Sequence, residues 1–176
     1  MIKRLLTVIL FFLIFFNNYF ILNAEEPVII DKESWKPKKW DELRVDTENN
    51  IGYLIHFDGS YLSFPILTGQ KRYVYYLGMH YFAGTPKKNW EVKSVDYKGD
   101  YYTFGPTGRF LRLFDVKNGM DQRTSYGIHS HKYIQEMLDS NNHYRSYGCI
   151  LVTDDVLDLI YQTYLANGES LKVETY

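Results

Sequence analysis

Arg145-Ser146-Tyr147-Gly148-Cys149-Ile150-Leu151, residues 145–151, closes a loop of polar and aromatic residues and runs into a helix start. Cys149 is the only cysteine in 176 residues. A lone cysteine makes no intramolecular disulfide, so the thiol is either a buried spectator or a free nucleophile. Just beyond it, Thr153 reads as an N-cap, and Asp154 and Asp155 fill the first turn, where the helix dipole favours acids. Val156, Leu159, Ile160, Thr163 and Tyr164 then share one face of a helix over 153–167, which Asn167-Gly168 ends with a left-handed cap. That helix predicts a rigid seat for the cysteine loop.

The residues before the loop read as short strands. Ile51 to Phe57 and Tyr61 to Leu67 are joined by the hairpin signal Asp58-Gly59. Tyr73 to Phe82 is an aromatic and β-branched run ended by Gly84-Thr85-Pro86. Trp90 to Tyr97 alternates, Lys98-Gly99-Asp100 turns, and Tyr101 to Phe104 reads as strand again. Arg109 to Val116 reads as a buried strand before a turn at 117–119, and Thr124 to Ile128 delivers His129 at its end. A short helix is expected over 132–139, and Leu171 to Val173 closes the fold. Many short strands separated by turns predict a mainly β domain, a sandwich or barrel with one or two short helices. The 31 aromatic residues (17 Tyr, 11 Phe and 3 Trp) suit strands.

The N-terminus has a different character. Lys3 and Arg4 precede an apolar run from Leu5 to Phe16, the pattern of an export signal. Asn17-Asn18 interrupts it, and Ala24 precedes Glu25-Glu26, which predicts a signal peptide over 1–24, or an N-terminal anchor if it is retained. Residues 25–50 show no sustained period and read as a lead segment that packs through Trp35 and Trp40. The domain is expected to begin at Ile51 and to run to 176. Periplasm or cell envelope is the expected location. A net charge of −1 suggests no nucleic-acid surface.

A thiol must ionise to attack, and a histidine is the usual means. His56 and His80 lie in strand patterns and read as structural, whereas His143 sits on an unanchored loop. His129 ends a strand, where a side chain is rigid and accessible, and a backbone carbonyl would orient its ring. Tyr147-Gly148-Cys149 offers consecutive N–H groups for an oxyanion. The alternative is that Gly148-Cys149 merely opens a buried strand. No histidine pairs with acids at ligand spacing, so neither metal nor cofactor is expected.

His129-Ser130 followed by Ser146-Tyr147-Gly148-Cys149-Ile150 resembles the active-site motif of the L,D-transpeptidase catalytic domain. Leu67-Thr68-Gly69, Gly84-Thr85-Pro86 before Trp90-Glu91-Val92, Gly127-Ile128-His129 and Thr153-Asp154-Asp155-Val156 extend the likeness over about residues 50–176. The resemblance implies a β-sandwich-like catalytic fold and acyl transfer on peptidoglycan stem peptides. Cys149 would form a thioester, His129 would move protons, and an amine on a second stem or on a wall-linked protein would resolve it. Tyr147, Gly148, Ser146, Ser130 and Arg145 become candidates for holding the oxyanion or substrate. Two positions depart from the family's pattern. Tyr147 stands where it has histidine and Leu151 where it has arginine, with Arg145 or Arg123 as candidate replacements. A hydrolytic carboxypeptidase or amidase, an inactive peptidoglycan-binding module and an unrelated exported cysteine protease are the competing readings.

Overall fold

A computed structural model describes residues 27–117 and 120–176. Its strands are β1 (Glu42–Asp46), β2 (Ile51–Ile55), β3 (Tyr61–Pro65), β4 (Thr68–Gly69), β5 (Tyr73–Tyr76), β6 (Met79–Phe82), β7 (Lys88–Tyr97), β8 (Arg109–Lys117), β9 (Met120–His129), β10 (Tyr144–Ser146), β11 (Ile150–Leu151) and β12 (Leu171–Thr175). The helices are α1 (Tyr101–Phe104), α2 (Ile134–Leu138) and α3 (Asp154–Ala166). Eight strands form one sheet in the order β11-β9-β8-β7-β12-β1-β2-β3, while β10 pairs with β4 and β5 with β6. The fold is therefore mainly β, as expected. The expected signal segment lies outside the described residues, as do positions 118 and 119 of the expected turn. Among the described residues, no helix is long and apolar enough to cross a membrane.

α3 carries the chain from the β11 edge back to the middle of the sheet, and that crossover builds the core. Val156, Leu157, Ile160, Thr163 and Tyr164 are buried at spacings of one helical face. They meet Leu43, Val45, Leu54, Val92, Leu111, Leu113, Ile128, Ile150 and Val173 from the sheet. Thr153 occupies the N-cap position in extended conformation, but its side chain makes no cap bond. Gly168 ends the helix at φ 74°. Leu111 is fully buried in this core. Leu111→Ala is expected to cost about 2–5 kcal/mol, read by chemical denaturation, because deletion leaves both lost transfer energy and a cavity.

Four segments differ from the sequence reading. Residues 42–46, expected in the lead segment, form β1 inside the main sheet, parallel to β12 and antiparallel to β2. Only Leu43 and Val45 alternate inward there, too short a pattern to see, and distant pairing decides it. Tyr73 to Phe82 is a hairpin, not one run: Leu77 and Gly78 turn at φ 50° and 80°, the left-handed pair a tight hairpin needs. Tyr101 to Phe104 is a helical turn because the Asp100 carboxylate accepts from the Tyr102 and Thr103 N–H groups at 3.1 and 3.3 Å. Of the two lead-segment tryptophans, Trp35 is buried and stacks on His56 at 3.9 Å, whereas Trp40 is exposed. The Asp41 carboxylate bonds His56 Nδ1 at 2.7 Å, so His56 is structural.

Candidate active site

β9 and β11 run parallel, with Ile128 opposite Ile150 and His129 opposite Leu151. Ile128 and Ile150 point into the core. Strand alternation then turns Gly127, His129, Leu151 and Cys149 to the other face of the sheet. Cys149 falls beside Gly127, and His129 stands one diagonal step along, roughly 7–8 Å between Cα atoms for such a pair.

The thiol packs against a small apolar cluster of Leu67, Ile134 and Leu151, with Met137 and Leu138 beside it. Burial there pushes its pKa up to about 11, opposed weakly by a hydrogen bond from the Gly127 backbone and by the Arg112 charge. His129 is buried between Phe104 (4.9 Å) and Phe110 (5.5 Å), ring centroid to centroid. Burial lowers its pKa to about 4, although the Ser130 and Thr103 carbonyls favour the charged ring. Its Nδ1 lies 2.7 Å from the Ser130 carbonyl. A carbonyl only accepts, so Nδ1 carries the proton and Nε2 the lone pair. The resting pair is a neutral thiol and a neutral imidazole.

The loop that presents Cys149 is locked from three sides. The Ser146 hydroxyl donates to the Cys149 carbonyl at 2.6 Å and accepts from the Gly148 N–H at 3.1 Å. Thr85 accepts from the Gly69 N–H at 2.9 Å and donates to the Gly148 carbonyl at 3.1 Å. The Tyr81 hydroxyl donates to the Tyr147 carbonyl at 3.2 Å, and the Tyr147 ring stacks on Tyr76 of the β5–β6 hairpin at 4.6 Å. Gly148 sits at φ 114°, and a Cβ there would lie 2.5 Å from the Tyr126 ring. Gly148→Ala is therefore strained twice over. It is expected to lower the melting temperature and to slow turnover by about tenfold or more, by displacing Cys149 from its register.

Tyr147, Gly148, Ser146 and Cys149 thus come together, with His129 on the neighbouring strand. Two candidates take other roles. Ser130 has no solvent exposure, so its side chain meets no substrate; it packs against Gly105 and the Asp154 carboxylate, and its carbonyl orients His129. The Gly148 N–H is already held by Ser146, which removes it from an oxyanion hole in this arrangement. Arg145 is exposed and its Nε donates to the Asn142 carbonyl at 2.9 Å. Arg123 is a largely exposed partner of Asp96. The cation that acts on the thiol is Arg112, which the sequence reading missed. It is buried, bound to Asp96 and to the Thr124 carbonyl at 2.6 Å, and paired in register with Gly127. A charged residue inside a strand read as buried was the available signal. Among the described residues, no three His, Cys, Asp or Glu side chains gather as metal ligands.

A sequence model of the L,D-transpeptidase catalytic domain (YkuD) matches residues 41–171. No curated protein matches the chain. Among solved structures, Bd1075 of Bdellovibrio bacteriovorus is similar with a TM-score of 0.53 and 13% identity, covering 79% of this chain and 48% of that one. A cysteine-to-serine mutant of the Enterococcus faecium L,D-transpeptidase gives 0.50 and 15%, with 77% and 49% covered. A lysine mutant of the helical cell shape determining protein Pgp2 from Campylobacter jejuni gives 0.50 and 16%, with 80% and 48% covered. At such identities the likeness speaks for the fold. The chain spans about half the length of these three structures.

Proposed function

The chain belongs to the L,D-transpeptidase catalytic domain family, and from that premise we propose that it is an exported cysteine acyltransferase acting on peptidoglycan stem peptides. The observation that carries this reading is the juxtaposition of Cys149 and His129 on one face of adjacent parallel strands, with His129 Nδ1 tied to a carbonyl. That tie leaves Nε2 as the base.

In this reading Cys149 Sγ attacks the carbonyl of the third stem residue, at the L-centre of its diamino acid, as His129 takes the thiol proton. The C–N bond to the terminal D-alanine breaks, and His129 returns the proton to the departing amine. The resulting thioester is attacked by an amine of a second stem, or of a wall-linked protein. That amine's proton passes through His129 back to sulfur as the C–S bond breaks. Proton transfer concerted with attack suits a pair that rests neutral, since no thiolate has to be stored in an apolar pocket. The export pattern at residues 1–24 supports the periplasm or cell envelope as the place of reaction. A role in cell shape, as the Campylobacter neighbour's name states for that protein, follows from wall cross-linking.

Incubation of the full chain with tetrapeptide-stem muropeptides, analysed by mass spectrometry, tests the proposal. A cross-linked dimer with loss of D-alanine, absent for Cys149→Ala, is the expected outcome. Trimmed monomers without dimer would assign the hydrolytic reaction, and untouched substrate for both proteins would leave a binding module.

A further inference from the structure

Trp40 is exposed and yet held in a strained conformation. Its φ is 76°, a left-handed region that an aromatic residue rarely occupies. Strain of this kind persists only where the surroundings over-determine it. Here they do. The Asn167 side chain, just past the end of α3, accepts from the Trp40 N–H at 2.6 Å and donates to the Asp41 carbonyl at 2.9 Å. The Asp41 carboxylate also accepts from the Lys38 N–H at 2.7 Å, and its other oxygen meets buried His56, on which Trp35 stacks. A network anchored on the buried Asp41–His56 pair thus fixes a turn whose product is an indole ring that is 64% exposed.

The ring borders an open groove of about 490 Å³ that also takes in Phe57, Tyr53, Tyr61, Arg44 and Glu42. Phe57 is 88% exposed. Flat apolar rings beside tyrosine hydroxyls and planar charged groups match a sugar, whose ring has an apolar face and a rim of hydroxyl and amide groups. Capture of a peptide as an added strand is less suited. The edge of β3 at Tyr61 is already occupied, with Ile30 N–H donating to the Tyr61 carbonyl at 2.7 Å and Tyr61 N–H to the Val28 carbonyl at 2.9 Å. The Lys39 ammonium lies 4.9 Å from the Trp40 ring centroid and adds a donor at the rim.

We infer that this groove binds the sugar chain of the wall polymer, at a site separate from Cys149. The choice of ligand rests on the proposed peptidoglycan substrate. β11, which follows Cys149, is one edge of the sheet; β1 and β2, which flank the groove, lie five and six strands away. At ordinary strand spacing that is about 25–30 Å along the sheet. A stem peptide in the active site does not reach so far, but the glycan strand that carries the stems does.

The test uses the full chain carrying Cys149→Ala, titrated with a β-1,4-linked N-acetylglucosamine tetramer and with peptide-free glycan strands. Trp35 and Trp90 are buried, so Trp40 reports binding through its emission. A saturable blue shift is expected with both probes. Trp40→Gly suits φ 76° and relieves strain, so it should keep or raise the melting temperature while abolishing the shift. By calorimetry, Trp40→Gly and Phe57→Ser should each weaken binding about tenfold or more. No saturable binding of either probe, or Trp40→Gly binding as tightly as its parent, overturns the inference. Cross-linking of muropeptides without glycan binding would sink this inference alone, whereas glycan binding without any Cys149-dependent reaction would sink the catalytic proposal alone.

Discussion

Cys149→Ser is expected to lower D-alanine release from tetrapeptide stems by roughly 10³-fold or more, measured by quantitative mass spectrometry of the muropeptides. Serine is close in size to cysteine, so the packing against Leu67, Ile134 and Leu151 survives and the melting temperature should move little. The loss is chemical. A hydroxyl is far less acidic and less nucleophilic than a thiol. His129, with its pKa lowered to about 4, is too weak a base to compensate. Equal turnover by the serine variant would show that another group performs the chemistry.

The pH dependence should be equally distinctive. The thiol's raised pKa keeps it protonated below about 11, and the lowered imidazole pKa keeps the ring neutral above about 4. At pH 7 only about one thiol in ten thousand is ionised, four units below its pKa. Alkylation of the resting enzyme by iodoacetamide should therefore rise about tenfold per pH unit across the neutral range, with no plateau below pH 9. Substrate acylation needs the neutral pair, and its rate should be flat from about pH 5 to 9 and fall in acid as His129 protonates. His129→Gln should cost about 10²–10⁴-fold in acylation across that plateau. Alkylation that is fast and flat between pH 5 and 8 would instead show a thiolate–imidazolium pair, contrary to the neutral arrangement.

Local signals carried much of this fold. Asp58-Gly59 turns where the hairpin rule puts it, α3 follows its apolar face, and His129 ends β9 because Gly127-Ile128-His129 closes a long strand. What escaped the sequence was set by distant contacts. Leu43 and Val45 become a central strand only because β12 and β2 flank them. Tyr101 to Phe104 has strand-forming side chains, but one carboxylate on Asp100 captures two N–H groups and bends it into a helical turn. At the candidate site, residue type and position singled out Cys149 and His129, and the family resemblance weighed against a spectator thiol. Their neutrality was not legible, since it comes from Leu67, Ile134 and Leu151 gathering around the thiol and from Phe104 and Phe110 enclosing the imidazole. Nor was the capture of the Gly148 N–H by Ser146, or the approach of Arg112 from β8, because sheet register decides both.

If Cys149 carries the acyl group as proposed, intact-protein mass spectrometry detects that group on the protein itself. The full chain would be mixed with a tetrapeptide-stem donor, without acceptor, and quenched in acid. A mass gain equal to the donor less D-alanine, mapped by digestion to the peptide holding Cys149 and labile to hydroxylamine as a thioester is, would uphold the proposal. Release of D-alanine by an enzyme that stays unmodified, or an adduct on any other residue, would contradict it.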